Sequence, residues 1–161
     1  MPDAARQTLE EPDVRDGNGE LDLDAAAELA QFLVETGSDG LVLSGTTGES
    51  PALTPSEASA LFRRVRGAVS VPILAGAGSN STHEALTLTR EAAETGVDGI
   101  LSVTPYYNRP SQEGIVEHFT RVAQCTDLPV ILYDIPARTG RKIETDTLLR
   151  LARGVAWKAI E

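Results

Sequence analysis

Five short apolar runs recur along this chain, each starting about 25 to 31 residues after the one before, with a helical pattern between. They begin at Gly40, Val71, Gly99, Pro129 and Val155. That spacing fits one strand, one helix and two connections, and repeats of such a unit build a parallel sheet. The runs are continuously apolar rather than alternating, as expected of strands covered on both faces. Helix signals fill the gaps. Residues 23–36 put Leu29, Phe32 and Leu33 on one side, with Asp22 placed to cap the start and Gly37 to end the helix in the left-handed conformation. Thr54-Pro55-Ser56-Glu57 and Ser81-Thr82-His83-Glu84 both have the spacing of a capping box. The first opens a helix with Leu61, Phe62 and Val65 on its apolar side, and the second opens one that runs to about Glu94. Ser111 opens a helix to about Gln124 with Ile115, Phe119 and Val122 aligned, and residues 144–153 form another before Gly154.

The fold class is therefore α/β, and two architectures meet the pattern: a closed (β/α)8 barrel and a doubly wound open sheet. Chemistry-bearing segments follow strand after strand. Gly45-Thr46-Thr47-Gly48-Glu49-Ser50 comes after the first, Thr104-Pro105-Tyr106-Tyr107-Asn108-Arg109-Pro110 after the third, and Tyr133-Asp134-Ile135-Pro136-Ala137-Arg138-Thr139-Gly140 after the fourth. A doubly wound sheet gathers its ligand at one switch point, whereas a barrel builds its site from the carboxyl ends of many strands. The barrel is the better fit. A whole barrel has eight units over roughly 250 residues. The 161 residues here hold five strands and five helices. Residues 21–161 are read as part of a barrel, and residues 1–20 as a polar segment without a first strand.

Formal net charge is −10. Nucleic-acid binding needs clustered basic charge, and so does an anionic membrane surface; neither partner is expected. Two lysines stand beside twelve arginines and 24 acidic residues. Such a surface fits a protein that stays soluble in high salt, and equally an acidic cytosolic enzyme from a GC-rich genome. Cys125 is the single cysteine, so no intrachain disulfide can form, and it reads as a small buried residue at a helix end. No apolar run reaches about 18 residues, and Met1–Glu20 lacks the apolar stretch of a secretory leader. A cytoplasmic location is expected.

Taken singly, the motifs leave alternatives open. Gly45 to Gly48 is a plain turn or an anion cradle, and nucleotide binding is not indicated because no Gly-Lys-Ser/Thr follows. Tyr106, Tyr107 and Tyr133 read equally as core or interface aromatics, and Arg138 as a solvated loop charge. His83 lies in a cap and His118 on a helix face beside Phe119; their spacing fits no metal site. Lys158 ends the apolar run Val155-Ala156-Trp157. A lysine there snorkels past the sheet rim, or is desolvated until its neutral amine attacks a ketone.

The combination shifts the balance among them. Gly45 to Ser50, the run from Thr104 to Gly114 (TPYYNRPSQEG), the run from Leu132 to Gly140 (LYDIPARTG) and a strand-borne Lys158 occur in one order and spacing. The chain strongly resembles the dihydrodipicolinate synthase and N-acetylneuraminate lyase family of class I aldolases, from about Asp16 to Glu161. The resemblance implies a (β/α)8 barrel and a covalent imine between Lys158 and pyruvate, with no other cofactor. It implies that Tyr133 shuttles protons, that Thr46 joins it in a hydroxyl relay with Tyr107, and that Tyr107 reaches in from a neighbouring subunit of a homo-oligomer. Thr47, with Gly45 beside it, would hold the pyruvate carboxylate, and Arg138 the carboxylate of aspartate semialdehyde.

The implied reaction condenses those two substrates at the entry to diaminopimelate and lysine synthesis. The alternatives are cleavage of a 2-keto-3-deoxy sugar acid by the same chemistry, in which an arginine at 138 is not expected, and an inactive remnant. The chain departs from the family pattern in several places. The first strand with its threonine-proline signature is absent, the stretch before Val155 is shorter, Trp157 is atypical, and strands seven and eight are missing. Residues matching a lysine effector site, Asn80, Glu84 and Tyr106, are present. Pro55 and Ala58 stand where some members carry histidines, so lysine feedback is not expected.

Overall fold

The structure, a computed structural model, describes residues 15–16, 19–46 and 49–154. These divide into two compact units. One comprises the described residues up to Gly76 together with Glu94–Asp98; the other comprises Ala77–Ala93 together with the described residues from Gly99.

The first unit contains α1 (Leu23–Glu35), β1 (Leu41–Leu43), a 3-10 turn at Ser50–Ala52, α2 (Pro55–Arg66) and β2 (Ile73–Gly76). The two strands pair in parallel, Leu41 opposite Ile73 and Leu43 opposite Ala75. Asp22 caps α1 by accepting from the N–H groups of Asp24 and Ala25, and Gly37 follows with φ 111°. The buried face of α1 differs from the one expected. It is Ala26, Ala27 and Ala30, while Phe32 is 59% exposed and Leu29 and Leu33 are half-buried. α1 packs on α2, and side chains of one carbon let the two backbones approach closely. The capping box at Thr54 forms in full: its hydroxyl accepts from the Glu57 N–H at 3.3 Å, and its N–H donates to the Glu57 carboxylate at 2.7 Å. Leu61, Phe62 and Val65 of α2 are buried as expected. Asp98 accepts at 2.8 Å from both the Ile73 N–H and the Arg66 guanidinium, tying the start of β2 to the end of α2. Arg15 pairs with Leu21 in an isolated antiparallel bridge and donates to the Ala52 carbonyl at 2.9 Å.

The second unit contains α3 (Thr82–Ala93), β3 (Gly99–Val103), α4 (Gln112–Gln124), β4 (Val130–Tyr133), α5 (Pro136–Thr139) and α6 (Thr145–Gly154). Its strands also run parallel, from Ile100 opposite Val130 to Val103 opposite Tyr133. Ile115, Phe119, Ile143 and Leu151 form a buried cluster on which Val116 and Leu132 pack. Ser111 caps α4 through the Gly114 N–H. The capping box expected at Ser81 is only half formed. Ser81 accepts from the Glu84 N–H at 3.4 Å, but the Glu84 carboxylate accepts from the buried Ser79 hydroxyl at 2.5 Å instead of reaching back to the cap.

Coverage of both strand faces is corrected in each unit. Leu41, Leu43, Ile73, Ala75, Ile100 and Val130 are buried, whereas Val42, Leu74, Leu101, Val103 and Ile131 are half-buried. α3 packs on β3 and α4 on β4, which accounts for one face. In a barrel the alternate residues fill the interior. The fifth strand, expected at 155–158, lies outside the described residues.

Candidate active site

Tyr133 is the last residue of β4 and is half-buried. Its backbone is fixed from the neighbouring strand. Thr104, fully buried just past β3, donates to the Tyr133 carbonyl twice, from its N–H at 3.0 Å and its hydroxyl at 3.2 Å. One carbonyl has two lone pairs, so both bonds can form together. The segments that follow β3 and β4 therefore leave the same, carboxyl, end of this strand pair.

The segment after β3 turns sharply. Tyr107 and Arg109 have φ 70° and 44°, in the left-handed region that costs a residue with a side chain about 1 kcal/mol or more. Between them the Asn108 N–H donates to the Tyr106 carbonyl at 2.9 Å, and its side-chain amide donates to the Asn80 carbonyl at 3.0 Å. Tyr107 is left 91% exposed.

The segment after β4 is not the open loop suggested by its sequence. Pro136–Thr139 forms a single helical turn, α5, with proline at its start and Gly140 at φ 71° as its cap. The buried Thr139 hydroxyl lies 3.1 Å from the Ile135 carbonyl and 2.9 Å from that of Arg141. Asp134 accepts from the Ile143 N–H at 3.2 Å. Gln112, at the start of α4, donates to the Lys142 carbonyl at 2.9 Å and accepts from the Glu144 N–H at 3.2 Å and the Thr147 hydroxyl at 2.6 Å. Arg138 is thus an exposed cation on a braced turn.

In the first unit Gly45 and Thr46 follow β1, in a loop closed by the Ser50 N–H on the Gly45 carbonyl at 3.4 Å. Ser44 and Glu49 have φ 56° and 53°. The turn at Ser44 comes so close to Gly76 that a methyl there would lie 2.1 Å from the Ser44 oxygen. Gly45 is different: among the described residues a methyl on it would meet only Val42 Cγ1, at 3.9 Å. Packing against the described residues does not require a glycine at 45. Thr46 is exposed. Thr47 and Lys158 lie outside the described residues.

Two residues with supporting contacts, Thr104 and Arg109, escaped the sequence reading, and a third, His118, was placed on its helix face without its bond to Thr82. Thr104 and Arg109 sit inside a recognised motif, but their contacts to Tyr133 and to α5 are tertiary. His118 is 2% exposed, its Nδ1 2.9 Å from the Thr82 hydroxyl and its ring edge-on to Phe119 at 5.1 Å. Burial, helped by the Arg121 charge, lowers its pKa to about 4. Its spacing with Ile115, Phe119 and Val122 was the available signal. Cys125, half-buried at the end of α4, has its thiol pKa raised by burial. Among the described residues no cluster of His, Cys, Asp and Glu could hold a metal ion, and no helix is long and apolar enough to cross a membrane.

Comparison with known proteins gives a consistent result. The dihydrodipicolinate synthetase family model matches residues 15–157. The 4-hydroxy-tetrahydrodipicolinate synthase of Moorella thermoacetica is 55% identical over 146 residues, covering 89% of this chain and 50% of that protein. A dihydrodipicolinate synthase from Bacillus anthracis superposes with a TM-score of 0.88 at 43% identity, over 96% of this chain and 53% of that one. The chloride-inhibited enzyme of Acinetobacter baumannii, complexed with pyruvate, gives 0.82 at 39% identity, over 86% of this chain and 48% of that one. The chain spans about half the length of the relatives it matches. The family match, the half-length superpositions and the parallel strand pairs with helices packed on them make this chain a member of the dihydrodipicolinate synthetase family, with the α/β fold of part of a (β/α)8 barrel.

Proposed function

We propose that this chain carries the machinery for condensing pyruvate with aspartate 4-semialdehyde to 4-hydroxy-tetrahydrodipicolinate, through an imine on Lys158. The observation that carries the reading is in the second unit. Tyr133, with its carbonyl held by Thr104, and Arg138, on the braced turn α5, follow one another at the carboxyl end of a parallel strand pair. Barrel enzymes work at that end. The pyruvate complex of the Acinetobacter baumannii relative supports the first substrate.

The chemistry follows from the groups. The neutral amine of Lys158 attacks the pyruvate ketone, and the carbinolamine loses water to give the iminium ion. Loss of a methyl proton gives an enamine, whose carbon attacks the aldehyde and leaves an alkoxide that is protonated. The amino group of the semialdehyde then attacks the iminium carbon and releases Lys158. The imine nitrogen serves as electron sink, so no further cofactor is needed. Each step moves a proton, and Tyr133, Thr46 and Tyr107 form the relay. The exposure of Tyr107 suits a residue donated to the site of a second copy, so the reading includes a homo-oligomer; the cytoplasmic location belongs to the reading as the expected place of such a biosynthetic step. Thr47 and Gly45 receive the pyruvate carboxylate. Arg138 receives the carboxylate of the semialdehyde, for which a planar guanidinium is suited.

That arginine separates the two substrates from a polyhydroxylated sugar acid. Replacing it, as Arg138→Ala, is expected to cost about 2–3 kcal/mol in use of the semialdehyde while leaving imine formation with pyruvate intact. Product formation followed by coupled reduction, with pyruvate trapping measured beside it, makes the test. Equal loss of both, or cleavage of a 2-keto-3-deoxy sugar acid by the unmodified chain, favours the lyase reading. Neither turnover nor trapping favours an inactive remnant.

A further inference from the structure

Arg109 has no part in the relay or the carboxylate contacts described above, yet its guanidinium lies on the turn that carries Arg138. A methyl at Gly140 would sit 3.0 Å from Arg109 Nε, 3.5 Å from Nη2 and 3.6 Å from Cζ. The flat side chain therefore covers the α-carbon of the residue that caps α5. Gly140 makes that cap by donating its N–H to the Pro136 carbonyl at 2.9 Å, in the left-handed conformation.

We propose that Arg109 is a positioning residue: by packing its guanidinium on Gly140 it holds the α5 turn, and through it sets where the Arg138 guanidinium meets the substrate carboxylate. The role given to Arg138 rests on the reading above. Four residues are too few to hold a helical turn unaided, because the first turn fixes several dihedrals for one hydrogen bond. α5 also lacks a side-chain cap at its start, since Ile135 occupies that position. Its own residues supply the Thr139 hydroxyl and the Gly140 cap. Arg109 adds a cover brought from the segment after β3. A cation beside the carboxyl end of a helical turn is also the favourable sign. The backbone of Arg109 is held in a left-handed conformation to deliver it. The absence of a side chain at 140 serves two ends together, the positive φ of the cap and room for the guanidinium.

The test uses the 161-residue chain and two readouts that do not depend on turnover. One is amide exchange at Gly140, whose N–H closes the turn. The other is the dissociation constant of succinic semialdehyde, a carboxylate-bearing aldehyde without the amino group, measured by NMR on the pyruvate-loaded chain. Arg109→Ala is expected to speed exchange at Gly140 and weaken the probe about tenfold or more, with exchange in β3 and β4 unchanged. Arg109→Lys, which keeps the charge but not the plane, should recover only part of each. Unchanged exchange and unchanged affinity in Arg109→Ala overturn the proposal. So does faster exchange without loss of affinity in a chain whose Arg138→Ala variant does lose it. If the unmodified chain does not bind the probe, or Arg138→Ala binds it equally well, the role given to Arg138 fails. The exchange arm then still decides: faster Gly140 exchange in Arg109→Ala upholds the hold on α5, and unchanged exchange overturns it.

Discussion

His118 Nδ1 and the Thr82 hydroxyl lie 2.9 Å apart, joining α4 to α3 through a ring that is almost wholly buried. In the unfolded chain the ring titrates near 6.5, and burial lowers it to about 4. Between those values the unfolded chain binds the extra proton, so stability rises with pH across the window. The contribution is complete above about pH 6.5 and is lost as pH falls toward 4, amounting to at most about 3 kcal/mol. Urea midpoints measured from pH 4 to 7 should show this slope in the unmodified chain and a flatter one in His118→Gln. The same slope in both would show that another group carries the acid sensitivity.

Two glycines at strand ends should behave in opposite ways. Gly76→Ala places a methyl 2.1 Å from a backbone oxygen that has no rotamer to escape into. It is expected to cost about 3 kcal/mol or more. Among the described residues a methyl at Gly45 meets only Val42 Cγ1 at an ordinary 3.9 Å, so Gly45→Ala should stay within about 0.5 kcal/mol in thermal unfolding. If Gly45→Ala folds normally but binds pyruvate poorly, the glycine is there for the ligand.

Thr104→Val keeps the shape of a fully buried side chain and removes one of two donors to the Tyr133 carbonyl. The backbone donor remains, so the loss should be about 1 kcal/mol in unfolding free energy. Chemical shifts of Tyr133 should move, while those of the paired strand start at Ile100 and Val130 stay in place.

Helix α1 tests the corrected packing. Ala30 is fully buried, so Ala30→Leu should overpack its surroundings and cost about 1–3 kcal/mol. Phe32→Gln, at a 59% exposed position, should fall within about 0.5 kcal/mol of the parent. The reverse order would restore the face first read from the sequence.

That contrast marks what a sequence of this kind makes legible. Signals confined to neighbouring residues were readable. The Thr54 box and the Asp22 and Ser111 caps form, because each needs only partners a few residues away, and the apolar runs of β1 to β4 were legible from their composition although their strand partners lie about thirty residues away. Where a tertiary neighbour competes, the reading shifts. Alanines take the buried face of α1 because α2 lies close, and Ser79 captures Glu84 from its cap. The turn at Pro136–Thr139 spans barely one period of a helical pattern, too little for a repeat to show, so only its flanking proline and glycine could have announced it. Of the candidate site, the motifs that carry Tyr107, Tyr133 and Arg138 were legible, and they follow β3 and β4 at the carboxyl end of one strand pair. The supports Thr104, Arg109 and Gln112 were not, since their partners lie about thirty residues away.

Borohydride trapping with pyruvate tests the assignment of Lys158 most directly. The chain has two lysines, so the outcome is read from one peptide map. Lys158 ends an apolar run, whereas Lys142 follows Arg141 and offers its carbonyl to Gln112 in a polar segment. Reduction in the presence of pyruvate should add the mass of the reduced pyruvyl group to the peptide containing Lys158 and leave Lys142 unmodified. Labelling of Lys142 in its place, or an equal low level at both lysines and the amino terminus, would contradict the assignment.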